Sequence, residues 1–137
     1  MRQAHFRPLV IFSINSENSR DNQTVHTLLR EKGWQFQGMS LVENGQRKPC
    51  WLVLINDGEE SEQLSEIQAI CKVYDQPKIV YSGNDRTTKE ILFDGTENYV
   101  GSLTSSSRYE ALTLPSYYVR SLGKANELEY WRLKNVQ

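Results

Sequence analysis

Apolar positions in the first half of the chain alternate between strand-like and helix-like spacing. Leu9–Phe12 is a continuous apolar run, which is typical of a strand covered on both faces. After a polar loop, Val25, Leu28 and Leu29 have helical spacing, and Gly33 is suited to cap the helix at its carboxyl end. The pattern therefore predicts a strand followed by a helix.

Strand-like alternation returns directly after this helix. Trp34 and Phe36 would lie on one face of a strand, with the polar residues Gln35 and Gln37 on the other face. Met39 and Leu41 continue the alternation only after a slip of one residue, and a β-bulge near Gly38 would explain that slip.

The next segment predicts a hairpin, a second helix and a fourth strand. Asn44-Gly45 favours a two-residue turn, because such a turn needs positive φ at both positions, and residues 51–55 form the returning strand. The fourth strand is expected at residues 78–81. Between them a stripe at helical spacing predicts the second helix: Leu64, Ile67, Ile70, Cys71 and Tyr74.

This element order predicts a ferredoxin-like α+β fold. A strand, helix, strand, hairpin, strand, helix and strand form the split β-α-β arrangement, with an antiparallel sheet and both helices on one face. We expect one domain, with its core unit at residues 9–83 and an extension at residues 84–137. In the extension, residues 90–93 and 98–103 predict a strand pair, residues 102–107 a loop, 112–122 a short helix and 128–133 an aromatic amphipathic segment.

Composition narrows the class of protein. In 137 residues, 16 basic and 17 acidic side chains give a formal net charge of -1, and the mean hydropathy is -0.61. This balance removes bulk attraction to nucleic acid or to an anionic membrane as a default. The apolar run at residues 8–14 is too short to cross a bilayer, and Cys50 and Cys71 lie among apolar neighbours. We therefore expect two buried free thiols, no membrane association and a cytoplasmic location.

Short motifs between residues 9 and 83 follow one another in a recognisable order. They comprise a polar loop after the first strand, an aromatic residue after a Gly, a Pro before the third strand and a Gln before the fourth: Asn15, Ser19, Asn22, Gly33-Trp34, Pro49-Cys50-Trp51 and Gln76. In this order the segment resembles the bacterial domain-of-unknown-function family 3293. The resemblance implies a compact α+β module with no established activity. Ser16 replaces a Pro of the family, and Lys48 replaces an acidic residue, so any role of that acid is lost or reversed here.

The polar loop between the first strand and the first helix is the first candidate site. A helix N-terminus favours an anion, and Arg20 could add a forked donor pair. The alternative is that these residues serve turns and helix capping, and Glu17 and Asp21 oppose an anion. The candidate ligand-binding residues are Asn15, Ser16, Asn18, Ser19, Arg20 and Asn22.

The aromatic and basic residues near the carboxyl end form a second candidate site. Tyr, Trp and Arg dominate the energetics of protein interfaces, so this segment either binds a partner protein or covers the sheet of its own domain. The candidate partner-binding residues are Tyr117, Tyr118, Arg120, Tyr130 and Trp131.

Motifs for catalysis, metals and cofactors are weak. The first strand-to-helix loop has no Gly, and His5 and His26 have no partners at metal-ligand spacing, so we expect no catalytic residues, no metal and no cofactor. The leading hypothesis is therefore a non-enzymatic binding module for a partner protein or a small anionic ligand. One alternative is an enzyme acting on a nucleotide-like or amide substrate near Asn15, Arg20, His26 or Cys50.

A nucleic-acid-binding module is a further alternative, although we regard nucleic acid as an unlikely partner. A split β-α-β sheet can stack bases on exposed aromatic residues beside basic ones. The residues that would serve are Trp34, Trp51 and Tyr81 with Arg47, Lys48 and Lys78.

Overall fold

The computed structural model of the chain describes residues 6–14, 16–121 and 127–134. Eight strands and three helices occur in these ranges. In chain order they are β1 (Leu9–Phe12), α1 (Ser19–Glu31), β2 (Phe36–Glu43), β3 (Gln46–Leu54), α2 (Glu60–Val73), β4 (Lys78–Ser82), β5 (Thr87–Leu92), β6 (Glu97–Ser106), α3 (Arg108–Ala111), β7 (Ser116–Ser121) and β8 (Leu128–Lys134).

The strands form a closed antiparallel barrel. Around the barrel their order is β1-β3-β2-β7-β8-β6-β5-β4, and β4 pairs with β1 to complete the ring. The prediction of a ferredoxin-like α+β fold is therefore wrong. The order of elements from β1 to β4 is as predicted, but their sheet continues through four further strands and has no edge. Closure pairs the backbone groups that an open sheet would expose at its edges.

Two apolar layers hold the barrel together. The first lies between the outside of the barrel and the two long helices, where Val25 and Leu29 of α1 and Ile67 and Ile70 of α2 meet outward-facing strand residues such as Trp51. The second lies inside the barrel and contains strand residues alone. β1 contributes to both layers, and all four of its residues are buried, which confirms a strand covered on both faces.

The same two-layer arrangement explains the interrupted alternation in β2. Its pairing with β3 runs without a register shift from Phe36 opposite Val53 to Glu43 opposite Gln46, so the expected bulge near Gly38 is wrong. Phe36 faces the helix layer, whereas Met39 faces the inside of the barrel. A regular strand with apolar residues on both faces therefore gives the same sequence pattern as a strand with one apolar face and a one-residue bulge.

The second half of the chain completes the barrel instead of extending an open sheet. The expected loop at residues 102–107 is wrong, because β6 continues to Ser106. The expected helix at residues 112–122 is also wrong, because Ser116–Ser121 is strand β7. The terminal amphipathic segment is strand β8, which pairs with both β6 and β7.

Several local predictions are confirmed. Asn44 and Gly45 form the hairpin turn with φ of 50° and 81°, and Gly33 follows α1 with φ of 71°. Cys50 and Cys71 are free and buried. Within the described ranges, no helix is long and apolar enough to cross a membrane.

Candidate functional site: the barrel interior

The inside of the barrel is a partly empty, mostly apolar chamber. Alternate residues of each strand point inward, because successive side chains of a strand lie on opposite faces. The apolar residues of this inner layer are Leu9, Ile11, Met39, Leu41, Cys50, Leu52, Leu54, Val80, Leu103, Tyr118, Trp131 and Leu133.

Side chains do not fill this chamber. Leu41, Leu52, Leu54 and Trp131 point inward and yet remain only half-buried. Two cavities of about 190 and 170 Å³ lie in the interior and share Ile11 in their linings. An eight-stranded barrel is just wide enough either to be filled by side chains or to hold one small ligand, and here the side chains leave two cavities.

The smaller cavity combines apolar walls with two arginine residues. Its walls include Leu9, Leu52 and Leu103, and Arg86 and Arg120 complete the lining. A volume of about 170 Å³ is close to the ~150 Å³ of an apolar cavity that accepts benzene. The cavity therefore has the size of an aromatic ring or a short aliphatic chain.

Hydrogen bonds to both the backbone and the side chain of Arg86 fix its position. Its carbonyl oxygen accepts a hydrogen bond from the Leu103 N–H at 3.1 Å and another from the Thr88 hydroxyl at 2.8 Å. Its guanidinium donates to the carbonyl of Arg7 at 2.8 Å and lies 4.4 Å from the centre of the Phe6 ring. Burial lowers the pKa of Arg86, and no carboxylate of the described ranges forms an ion pair with it.

Arg120 enters the chamber from β7 and already has polar neighbours. One of its terminal nitrogens donates to Gln37 Oε1 at 2.5 Å, and its Nε lies 2.8 Å from Glu129 Oε1. That Nε is buried, and the Glu129 contact does not have hydrogen-bond geometry, so its N–H has no acceptor among the described residues. A buried donor of this kind favours an added acceptor.

The opposite end of the chamber has a charged rim of mixed sign. Lys78 Nζ forms an ion pair with Glu90 at 2.6 Å, and Glu43 and Lys48 lie on the lining of the same cavity. Two basic and two acidic side chains give this rim no net charge. The end with Arg86 and Arg120 is therefore better suited to an anion.

Two titratable groups face the larger cavity in their neutral forms. Burial raises the pKa of the Cys50 thiol to about 12, so Cys50 is not a thiolate nucleophile near neutral pH. Burial also raises the pKa of Tyr118, and the neighbouring Cys50 and the carboxylates of Glu43 and Glu90 act in the same direction. Both groups are hydrogen-bond donors near neutral pH.

The polar loop predicted as an anion site uses most of its polar groups internally. Ser16 donates to Asp21 at 2.6 Å, Asn18 caps α1 by accepting from the Arg20 N–H at 2.8 Å, and Asn22 donates to the Asn18 carbonyl at 3.1 Å. Asn15 lies outside the described residues.

The side chains of the loop also diverge. Ser19 and Asn22 line a groove between α1 and β3, whereas Arg20 lies on another face of the helix. The structure therefore does not bring all the predicted residues of the loop together.

The residues predicted to bind a partner lie on β7 and β8, but on two different faces. Tyr118, Arg120 and Trp131 line the interior cavities. Tyr117 and Tyr130 follow the opposite side of the same strands, with ring centres 6.0 Å apart. Sequence reasoning selected three residues of the chamber without recognising that they face inward.

The residues of the enzyme hypothesis do not converge. His26 packs edge-on against Phe36 at 5.1 Å and lines the groove beside α1, Arg20 lies elsewhere on α1, and Cys50 lies inside the barrel. The described part of the chain contains no cluster of His, Cys, Asp or Glu that could hold a metal. His5 lies outside it.

The aromatic residues of the nucleic-acid hypothesis are engaged within the fold. Trp51 is buried and its ring centre lies 5.4 Å from that of Phe12. Tyr81 donates a hydrogen bond to Glu60, and Lys32 lies over the ring of Trp34 at 5.2 Å. These three side chains do not form a free stacking surface.

Arg86 is the most important residue of the candidate site that was not predicted from the sequence. It stands in a turn after Gly83 with φ of 66°, and nothing in its local pattern indicates that it lines an interior cavity. Leu52 and Leu103 were recognised as strand residues, but their inward direction depends on closure. Comparison of the sequence with models of known protein families gives no match, and comparison with curated proteins gives none either.

Proposed function

We propose that this protein is a non-enzymatic binding module that holds a small amphiphilic anion inside its barrel. The apolar part of the ligand occupies the cavity walled by Leu9, Leu52 and Leu103, and its anionic group pairs with Arg86 and Arg120. The observation that carries this proposal is the combination of a cavity of about 170 Å³ with two arginine residues in its lining.

The chemistry of the two arginines selects a carboxylate. Guanidinium groups bind carboxylates through charge-assisted hydrogen bonds, and partial burial strengthens such pairs. Arg86 now bonds to backbone carbonyls, and the Nε of Arg120 is close to Glu129 but has no acceptor with hydrogen-bond geometry among the described residues. A ligand carboxylate would supply the acceptors that both side chains can use.

The size of the cavity selects a compact ligand. Pockets for drug-sized ligands have volumes of about 300–1,000 Å³, which is larger than either interior cavity. Benzoate is therefore a suitable first probe, and benzamide is a neutral molecule of nearly the same shape. The pair separates binding by charge from binding by shape.

Calorimetric titration of the full chain with both probes tests the proposal. We expect benzoate to bind and benzamide to bind at least tenfold more weakly, on the order expected for hydrogen bonds to a charged group. Arg86→Gln and Arg120→Gln should each weaken benzoate binding about tenfold, because each removes a charged donor.

Arg20→Gln is the matched control, because it removes an exposed cation far from the interior cavities. It should leave benzoate binding unchanged. Equal affinity for benzoate and benzamide, or an effect of Arg20→Gln as large as that of the other two variants, would contradict the proposal.

Three further predictions from the sequence remain proposals. A cytoplasmic location is supported by two free buried cysteines, since oxidising compartments favour disulfides. Membership of the bacterial family 3293 still depends on the motifs of residues 9–83. Binding of a partner protein is retained for Tyr117 and Tyr130, whose rings lie outside the chamber.

A further inference from the structure

Tyr118 is a nearly buried side chain with an unused polar group. The residue is 6 % exposed, and it lines the larger interior cavity. Its hydroxyl group makes no hydrogen bond to any other described residue. The hydroxyl oxygen is not among the enclosed side-chain atoms without a partner in the described residues, so it is accessible from the cavity and can donate to a molecule there.

The surroundings of this hydroxyl group define what its partner can be. The carboxylates of Glu43 and Glu90 lie on the same cavity, and both favour the neutral phenol. Lys48 and Lys78 on the same cavity balance these charges, so a second carboxylate on the ligand would lose its hydration there without a net attraction. A neutral oxygen, such as that of a ketone, ester or alcohol, can accept the Tyr118 hydrogen without this penalty.

The position of Tyr118 relative to Arg120 sets the length of the ligand. They are neighbouring inward-facing residues of β7, because residues two apart along a strand share a face. Their backbone positions are therefore about 7 Å apart along the strand. The two interior cavities share Ile11 in their linings and therefore lie side by side in the chamber.

We infer that Tyr118 binds a neutral oxygen at the distal end of the ligand, so that the preferred ligand is a keto-, hydroxy- or ester-substituted carboxylic acid. This inference rests on the proposed function, since the carboxylate of the ligand is assigned to Arg86 and Arg120. It adds a second polar contact, at the end of the chamber away from the two arginines.

Two benzoates that differ in one group test the inference. 4-Acetylbenzoate carries a ketone oxygen, and 4-isopropylbenzoate replaces that oxygen with a methyl group of similar size. The dissociation constants of both probes are measured by calorimetry for the wild-type chain, for Tyr118→Phe and for Tyr130→Phe. Tyr130→Phe is the matched control, because that ring lies beside Tyr117 outside the chamber.

We expect the preference for the acetyl probe over the isopropyl probe to fall about fivefold in Tyr118→Phe, which is the value of one neutral hydrogen bond. Tyr130→Phe should keep the wild-type preference. An unchanged preference in Tyr118→Phe would overturn the inference and leave the proposed function intact.

The two proposals fail in different ways. If none of the benzoates binds, both the proposed function and the inference are overturned. Tyr118→Phe should melt close to the wild-type temperature, because the lost hydroxyl group has no hydrogen-bond partner among the residues that the structure describes. If this variant does not fold, the two probes are compared on the wild-type chain alone. Without a hydrogen bond to Tyr118, the larger apolar surface of the isopropyl probe should make it the tighter ligand. Tighter binding of the isopropyl probe would therefore overturn the inference.

Discussion

Arg120 and Glu129 lie opposite each other on β7 and β8, with Arg120 Nε 2.8 Å from Glu129 Oε1. The same carboxylate accepts a hydrogen bond from the indole N–H of Trp131. Glu129 is therefore the internal counter-ion at the end of the chamber where we place the ligand carboxylate. An anion that reaches Arg120 must compete with it.

Removing the charge of Glu129 should tighten anion binding. Glu129→Gln keeps an acceptor for Trp131 but removes the competing negative charge, so we expect benzoate to bind severalfold more tightly in calorimetry. Glu97→Gln is the matched control, because Glu97 pairs with Lys89 away from the interior cavities. Unchanged or weaker binding in Glu129→Gln would count against the assigned position of the carboxylate.

Filling the chamber should abolish binding without unfolding the protein. Leu52 lines the smaller cavity and is half-buried, so Leu52→Phe can extend into empty space. We expect benzoate affinity to fall at least tenfold, while the free energy of unfolding measured in urea changes by less than about 1 kcal/mol. Leu112→Phe, at a residue that is 55 % exposed, controls for added aromatic surface and should leave binding intact. Retained affinity in Leu52→Phe would argue against the interior site.

The two cysteines should react slowly, and their reactivity should keep rising at high pH. Burial raises the pKa of Cys50 and of Cys71 to about 12. Only the thiolate reacts, so the alkylation rate of the native protein should rise about tenfold per pH unit from pH 7 to 10. Peptide mass spectrometry after timed iodoacetamide treatment follows each thiol separately. A plateau near pH 9, as for an exposed thiol, would contradict the buried positions.

The same shifts determine how stability depends on pH. A thiol whose pKa is higher in the folded than in the unfolded protein stabilises the fold fully below the unfolded value and progressively less above it. Urea unfolding should therefore show falling stability above about pH 9. Replacing Cys71 by Ala should reduce that fall relative to the wild type, although it lowers stability at pH 7.

The hairpin turn offers a matched pair of glycine substitutions. Gly45 has φ of 81° with nothing within 4 Å of an added Cβ, whereas Gly38 lies in strand β2 with equally open space and no positive φ. Gly45→Ala should cost about 1 kcal/mol, because left-handed backbone disfavours side chains. Gly38→Ala should be neutral or stabilising by about 0.5 kcal/mol. Chemical denaturation measures both, and equal effects would contradict the turn geometry.

Local patterns in the sequence predicted local structure well and closure poorly. The apolar run of β1, the stripe of α2 and the Asn44-Gly45 turn each depend on neighbouring residues, and these predictions are confirmed. Closure depends on pairing between β2 and β7, whose paired residues lie more than 70 positions apart in the chain. No periodicity within either strand reports that pairing.

The site was missed for the same reason. Tyr118, Arg120 and Trp131 are conspicuous in the sequence as interface-type residues, but their inward direction depends on β7 and β8 being strands of a closed barrel. The Asn- and Ser-rich loop attracted attention because its composition is unusual. Its side chains largely satisfy helix capping and one another. The unusual composition of this loop is explained by side chains that form hydrogen bonds with nearby backbone groups and with one another.

The most direct test of ligand binding inside the barrel is the response of the tryptophan indole N–H signals in ¹H–¹⁵N correlation spectra during titration with benzoate. Trp131 lines the cavity with the two arginines, whereas Trp51 and Trp34 pack in the layer beneath the helices. Trp131→Phe assigns the relevant signal. If benzoate binds inside the barrel, the Trp131 signal should show a saturable shift while the other two signals change little. The absence of a saturable shift, or equal shifts of all three signals, would contradict binding inside the barrel.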